Sequence, residues 1–276
     1  MTMNRTLHSL GVASLLVIGL SCWPAAGQQE TVPAPDATAP AAALYLIAQG
    51  DLDELDCILA LPPAEAHGQQ RFALGDAHGF VHVYEQRGPA YDEVWISDYF
   101  ESAVAGLFLA DINLDGLLEI VAYTENGRIY YLDSADYHTL WTNPPADFQS
   151  MTAMTLHNVD EDEQVELIFV ADGRLHIYDG RDQFEEWRSD QDNITATEIL
   201  LGDVDGDGLE EIVLNDGFVF DALYRDLEWQ SSQSFGERMR LLDIDDDTIP
   251  EIIGEFQGRF LRIFDVDQRR MKAARR

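Results

Sequence analysis

The chain has 276 residues, of which 51 are Asp or Glu and 17 are Lys or Arg, and its formal net charge is −34. So acidic a chain offers no field that attracts phosphate, which argues against nucleic acid and anionic membrane surfaces as partners. Its hydrophobic fraction of 46% excludes an intrinsically disordered chain.

Residues 1–27 are typical of a secretory signal peptide. Arg5 supplies the positive start, the apolar run 10–20 is too short to span a bilayer, and small residues precede Gln28. Cys22 leaves a lipoprotein alternative open, in which the chain is cleaved before this cysteine and anchored by lipid. We therefore expect an exported protein, secreted or periplasmic, with no membrane span.

The two ends of the remaining chain differ in composition from its body. Residues 28–42 are rich in Pro and Ala and are expected to form an extended linker, whereas residues 268–276 form a basic tail with five Lys or Arg. The chain between the signal peptide and the basic tail contains 51 acidic residues and only 11 Lys or Arg. This imbalance favours a bound cation. Cys57 is the one cysteine after the leader, so no intrachain disulfide is expected, and its apolar surroundings predict a buried residue.

The first strand-like runs follow at residues 55–61, 71–74, 80–85 and 93–97. A turn glycine, Gly79, precedes the third run, and Trp95 lies in the fourth with Ser97 two residues later. The same order recurs downstream. The turn glycines are Gly127, Gly173, Gly217 and Gly258, the tryptophans are Trp141, Trp187 and Trp229, and the residues two positions later are Asn143, Ser189 and Ser231.

An acidic nine-residue pattern opens each unit after the first. Its four copies begin 47, 45 and 40 residues apart and carry an oxygen-bearing side chain at positions 1, 3, 5 and 9. These residues are Asp111, Asn113, Asp115 and Glu119; Asn158, Asp160, Asp162 and Glu166; Asp203, Asp205, Asp207 and Glu211; and Asp243, Asp245, Asp247 and Glu251. Short strands repeated at this period predict an all-β fold, a β-propeller with four-stranded blades.

The fifth unit lacks a fourth strand. Its strand-like runs lie near residues 239–244, 251–255 and 260–265, and an unassigned apolar run occupies residues 43–48. We expect this run to be the outer strand of blade five, with Tyr45 in place of the tryptophan, so that residues 43–267 form five blades closed by an N-terminal strand. An open array is the alternative.

These repeats resemble FG-GAP or VCBS repeats, which build the heads of integrin α-subunits and many bacterial secreted proteins. The clearest match is the segment 202–213, GDVDGDGLEEIV. The resemblance implies a propeller with calcium in the loop between the first two strands of a blade. The chain departs from the integrin head in having five units rather than seven, and from the common repeat in having Glu at position 9. The family implies no single activity.

The acidic loops suit calcium, because Ca²⁺ takes six to eight hard oxygen ligands. Side chains at positions 1, 3 and 5 of a tight loop converge on one centre, and the glutamate at position 9 completes the shell together with the position-7 carbonyl, which is Leu209 in the third copy. We expect the third loop to bind best. The second is the weakest, since it begins with Asn158 and has Glu163 where Gly is usual. Solvated acidic turns without metal are the alternative.

The sequence contains no catalytic motif such as HExxH, CxxC, a phosphate loop or a Ser/His/Asp order. We therefore expect a secreted calcium-binding propeller that serves as a protein- or glycan-binding or scaffold module, for example in cell adhesion. An extracellular lyase or hydrolase acting on a polymer is the alternative, and a structural partner in an envelope complex is a third possibility. Four aromatic residues between blades fit either recognition or packing: Tyr99, Phe100, Phe148 and Phe235. The repeat tryptophans, His82 and His176 are expected to pack.

Overall fold

The computed structural model describes residues 6–7, 57–63, 68–160 and 162–266. These residues form strands and turns, with no helix long and apolar enough to cross a bilayer. The strands belong to five antiparallel sheets that follow one another along the chain. The fold is a β-propeller, as the repeat predicts, and each sheet is one blade.

Each blade uses its strands in chain order from the inside outwards. The outer strand of blade one, β5 (Ala90–Ile96), also pairs with β1 (Thr6–Leu7), a dipeptide within the predicted signal peptide. The blades consist of β2 (Ile58–Leu61), β3 (Arg71–Gly75), β4 (Val81–Arg87) and β5 (Ala90–Ile96); β6 (Val104–Ala110), β7 (Glu119–Thr124), β8 (Ile129–Asp133) and β9 (Thr139–Thr142); β10 (Met151–His157), β11 (Glu166–Ala171), β12 (Arg174–Asp179) and β13 (Glu185–Arg188); β14 (Ile199–Gly202), β15 (Glu211–Leu214), β16 (Phe218–Asp221) and β17 (Leu227–Gln230); and β18 (Arg238–Leu242), β19 (Glu251–Phe256) and β20 (Phe260–Phe264).

The innermost strands of all five blades surround one central cavity of about 370 Å³. Its lining includes one or more residues from each of them, among them Ile58, Leu107, Met154, Ile199 and Arg240. A common cavity lined by every blade places the five sheets around one axis, as in a propeller.

The core lies between successive blades. Four apolar clusters each combine residues of two neighbouring blades. The second strands β7, β11 and β15 are therefore covered on both faces, and every residue in them is buried. This explains why they read as continuous apolar runs after the initial glutamate instead of alternating apolar and polar residues.

The polar residue two positions after the repeat tryptophan has a structural role in blades one to three. Ser97 and Ser189 through their hydroxyls, and Asn143 through its amide oxygen, accept a hydrogen bond from an N–H at the start of their blade's third strand, at 2.9, 3.1 and 2.8 Å. The tryptophans pack against the interblade clusters. The polar residue thus joins the outer strand to the third strand within a blade, and the tryptophan joins one blade to the next.

The aromatic residues between blades are mostly core residues. Phe100, Phe148 and Phe235 are buried, and only Tyr99 is exposed, at 58%. His176 is also buried, stacked on Phe169 and edge-on to Phe148. The structure therefore decides for packing: the three phenylalanines are not available for recognition of a ligand, because each fills a gap between adjacent sheets.

Blade five contains three described strands, β18, β19 and β20. The run 43–48, which is expected to supply its fourth strand, lies outside the described residues, as do the linker 28–42 and the tail 268–276. The five-bladed arrangement is therefore seen, and the strand that closes it stays a prediction.

Replacing Phe148 with Ala should destabilise the protein by about 3–5 kcal/mol, because the ring contacts Phe169, His176 and Tyr178 and its loss leaves a cavity. Urea unfolding followed by tryptophan fluorescence measures the change. Tyr99→Ala is the matched control and should cost little, since that ring is exposed. Equal effects of the two substitutions would contradict the packing role.

Candidate metal centres

Each acidic pattern forms the loop between the first and second strands of a blade, in blades two to five. Its last residue is always the first residue of the second strand: Glu119, Glu166, Glu211 or Glu251. Strands alternate in direction within a blade, so these four loops lie at one face of the propeller. The loops between blades lie at the other.

The glutamate at position 9 anchors every loop in the same way. All four are buried. In each, Oε2 accepts a hydrogen bond from the N–H of the loop's second residue, at 3.0, 2.7, 2.8 and 2.9 Å in loops one to four. One carboxylate oxygen therefore holds the loop against the sheet, and the other is left for a further partner.

Loop three shows how the remaining side chains turn inward. The two carboxylate oxygens of Asp203 accept the N–H groups of Gly206 and Gly208, at 2.7 and 3.0 Å. Asp205 and Asp207 each accept the N–H two residues ahead, at 3.2 and 2.9 Å. These bonds bend the backbone around its own carboxylates and direct them to the inside of the loop.

Positions 4 and 6 of loops one, three and four have left-handed backbone. In loop three both are glycines, Gly206 and Gly208, with φ of 78° and 91°. In loop four they are Asp246 and Thr248, with φ of 68° and 80°. Thr is β-branched and rarely adopts this conformation, which costs an L-residue roughly 1–2 kcal/mol. Loop four thus keeps the shape of loop three without its glycines.

The geometry brings together most of the predicted acidic residues. In loop three Asp203, Asp205, Asp207 and Glu211 each place one oxygen within 4.8 Å of the others. In loop two the same holds for three residues, and in loop four for the first three acids. The respective groups are Asp160, Asp162 and Glu166; and Asp243, Asp245 and Asp247. These acidic clusters could hold a metal ion.

Loop one is organised around an amide. The Asn113 amide donates to Oε1 of Glu119 at 3.3 Å and accepts the N–H of Asp115 at 2.9 Å. In loop two the Asn158 amide donates to the Asp162 carbonyl at 2.7 Å. The metal roles of Asp111, Asn113, Asp115, Glu119 and Asn158, and that of the Leu209 carbonyl, stay predictions.

Loop two also has a cationic neighbour. Arg225, in the last turn of blade four, lies 2.6 Å from Glu186 and 3.9 Å from Asp160. The guanidinium meets part of the negative charge of this loop from the adjacent blade. A metal ion in loop two would therefore add less stabilisation than one in loop three.

A set of aspartates at the ends of the third strands was not predicted from the sequence. Asp133, Asp179 and Asp221 lie directly opposite the closing glutamates of their blades in the β-ladder. In blade five Asp265 follows β20, and one of its oxygens lies within 4.8 Å of Asp245 and Glu251. The signal was present, because an aspartate recurs 10 to 14 residues after each closing glutamate. A further cluster joins Asp133 to Asp136 and His138.

Crowding of carboxylates changes their ionisation. Burial, reinforced by the neighbouring aspartates, raises the pKa of Glu166 to about 7 and that of Glu211 to about 8. Burial likewise raises the pKa of Glu119. In addition, Oε1 of Glu166 is buried with no hydrogen-bond partner among the described residues. A hard cation fits loops two and three, because in loop two it would satisfy this oxygen and in both it would offset the mutual repulsion of the carboxylates.

Comparison with known proteins supports the fold. No protein-family model and no curated protein sequence matches the chain. The solved structure of BBS1N in complex with ARL6DN, a propeller-like fold, matches 76% of this chain and 65% of its own length, with TM-score 0.53 and 12% identity. The computationally designed Ika8 protein matches 79% of this chain and 61% of its own length, with TM-score 0.50 and 13% identity. The chain thus spans less than two thirds of either structure, and the likeness concerns fold alone.

The metal-free protein should become less stable as the pH rises from about 5 to about 8. The raised pKa values mean that Glu166 and Glu211 bind protons in the folded chain at pH values where the unfolded chain has lost them. Urea midpoints of metal-stripped protein at several pH values measure the effect. Glu211→Gln should flatten the fall, because the amide stays neutral and its oxygen can still accept the Val204 N–H. An identical fall in this variant would assign the pH dependence to other groups.

Proposed function

We propose that the chain is an exported calcium-binding β-propeller, secreted or periplasmic, that serves as a non-catalytic binding or scaffold module for an extracellular protein or glycan. The observation that carries the proposal is loop three, where one oxygen from each of four carboxylates lies within 4.8 Å of the others, at the start of a buried strand. Its arrangement supports the resemblance to FG-GAP or VCBS repeats.

Calcium is the cation that this chemistry favours. The loop side chains offer oxygen and neither sulfur nor imidazole, which disfavours zinc. Magnesium needs near-ideal octahedral geometry and keeps several waters, whereas calcium accepts many carboxylates at flexible geometry. Fourteen carboxylates across four loops suit the larger ion.

The central cavity supports a non-catalytic role. Among its lining residues the charged side chains are Glu198 and Arg240, which lie 3.4 Å apart as an ion pair. An enzyme acting on a polymer needs an acid and a base directed at the substrate, often with separated pKa values. In this ion pair each charge already has a partner. The pair is therefore better suited to a structural role than to proton transfer in catalysis.

The face of the propeller that carries the four acidic loops, named the metal face, offers a surface for a partner. Exposed apolar side chains lie on its loops and turns, among them Leu117, Phe184 and Tyr224. The structurally similar BBS1N was solved in complex with a protein, ARL6DN. We infer that this chain also binds a macromolecule, and that calcium orders the loops that carry the contact residues.

Chelation should lower the melting temperature, because calcium binds the folded loops and not the unfolded chain. Differential scanning calorimetry with excess calcium and after removal by EGTA measures the shift, with metal content checked by elemental analysis. A melting curve that does not change while the bound metal falls to zero would contradict the proposal.

Asp205→Ala should reduce calcium binding and stability more than Asp160→Ala. Asp205 belongs to the four-carboxylate cluster of loop three, whereas Asp160 belongs to a three-carboxylate cluster and lies near Arg225. Isothermal calorimetry of the two variants and the parent counts sites and compares affinities. The opposite order would show that loop two is the main site.

The binding role and the enzymatic alternative can be separated in one assay. The labelled protein is applied to panels of extracellular glycans and proteins, in calcium and in EGTA, and the same glycans are analysed for new reducing ends and unsaturated products. Calcium-dependent retention with intact polymer supports the module. Product formation, abolished in a Glu198→Gln variant, would favour the enzyme.

A further inference from the structure

The third strand of blade five is an edge strand, unlike its counterparts. In blades one to four the third strand pairs with an outer strand, but β20 pairs only with β19 among the described residues. Phe260, Leu261 and Ile263 are 52%, 68% and 50% exposed. In the ladder register, the counterparts of Leu261 and Ile263 are Ile129 and Tyr131 in blade two, and Leu175 and Ile177 in blade three. All four are buried. An apolar edge of this kind is open to pairing with another strand.

A groove runs beside this edge. It has a volume of about 570 Å³ and separates the outer strand of blade four from β20. Trp229 and Phe235 line one side, and Ile263, Phe264 and Val266 line the other. In the preceding blades this place is filled by the outer strand, whose tryptophan packs against the core between blades. The rest of the lining is polar: Gln230, Ser231, Ser232 and Asp265. The groove therefore has the position of a missing outer strand, with apolar side chains available on both of its sides.

We propose that the β20 edge and this groove form a binding site for one extended apolar strand, and that residues 43–48 of this chain, ALYLIA, occupy it. The segment is six residues long, uncharged and free of Pro and Gly. Each of these properties favours an added strand.

Chain direction agrees with this occupant. β20 runs towards the metal face, since Asp265 lies beside Asp245 and Glu251. An antiparallel partner would end at the opposite face, which is where β2 begins. Nine residues, 49–57, then connect the two. The corresponding connections between described blades have 7, 8, 10 and 7 residues.

The repeat also specifies the register. In blades two to four the residue two positions after the closing glutamate pairs with the third-strand residue that faces the tryptophan, for example Val121 with Tyr131 and Tyr131 with Trp141. In blade five Ile253 pairs with Ile263. Tyr45, at the position of the tryptophan, is therefore placed opposite Ile263.

A second copy of the chain is a less suitable occupant. Each copy carries a formal net charge of −34, so two copies repel each other at low salt. A segment tethered nine residues from β2 has a high effective concentration at the groove and no such penalty.

Cross-linking tests the site and its register together. The chain from Gln28 to Arg276 is made with Tyr45→Cys and Ile263→Cys and oxidised. Directly opposite residues in an antiparallel ladder have Cα atoms about 4.5–5.5 Å apart, within the range that a disulfide spans. We expect an intramolecular disulfide in most of the monomer, seen by gel shift and peptide mapping. Leu44→Cys with Ile263→Cys is the matched control and should cross-link far less, because neighbouring side chains point to opposite faces. Cys57 is buried and should not compete.

Hydrogen exchange of the protein without cysteine substitutions provides a second measurement. Amides of β20 should be protected in the parent, and at least tenfold less protected when Leu44 and Leu46 are both replaced by Ser. Two Ala→Ser changes in the linker 28–42 should leave β20 unchanged. Disulfides formed only between molecules would assign the site to a second copy. Equal cross-linking by both cysteine pairs, or unprotected β20 amides in the parent, would overturn the proposal.

Discussion

The buried glutamate that begins the second strand of blades two to five is the constraint on which the metal face depends. A carboxylate taken out of water is costly unless hydrogen bonds or opposite charge compensate it. Here one oxygen is compensated by the N–H of the loop's second residue, and this bond recurs in all four loops. The loop shape follows from it, because the chain must double back within nine residues to deliver that N–H.

The same anchor concentrates negative charge. Once the glutamate and the loop backbone are held together, the carboxylates of the loop have little room to separate. Burial, reinforced by the charge of the neighbouring carboxylates, raises the pKa of Glu166 and Glu211. A divalent cation bound at the proposed sites would offset this repulsion and would connect the charge of the sequence to the stability of the fold. The strained backbone of Thr248 persists because loop four is held by contacts at both of its ends.

Packing between blades transmits this organisation around the propeller. The second strands are covered on both faces, so each blade is stable only against its neighbours. Contacts at the metal face join consecutive blades as well: the Tyr131 hydroxyl donates to the Gly180 carbonyl at 2.9 Å, and His157 lies 2.7 Å from Glu210. Order in one loop therefore supports the blade beside it. Blade five is the exception, because its third strand has apolar side chains that no described strand covers.

The sequence by itself determined the all-β repeat, the place of each acidic loop between first and second strands, and the packing role of the tryptophans. These are local properties, in which spacing and residue type decide the outcome through strand period, turn glycines and carboxylate chemistry. Only the tertiary structure decided that Phe100, Phe148 and Phe235 are buried, that Arg225 reaches Asp160, and that Asp265 joins the cluster of loop four. Each of these contacts joins residues from different strands or blades, and a single sequence contains the residues but not the distance between them.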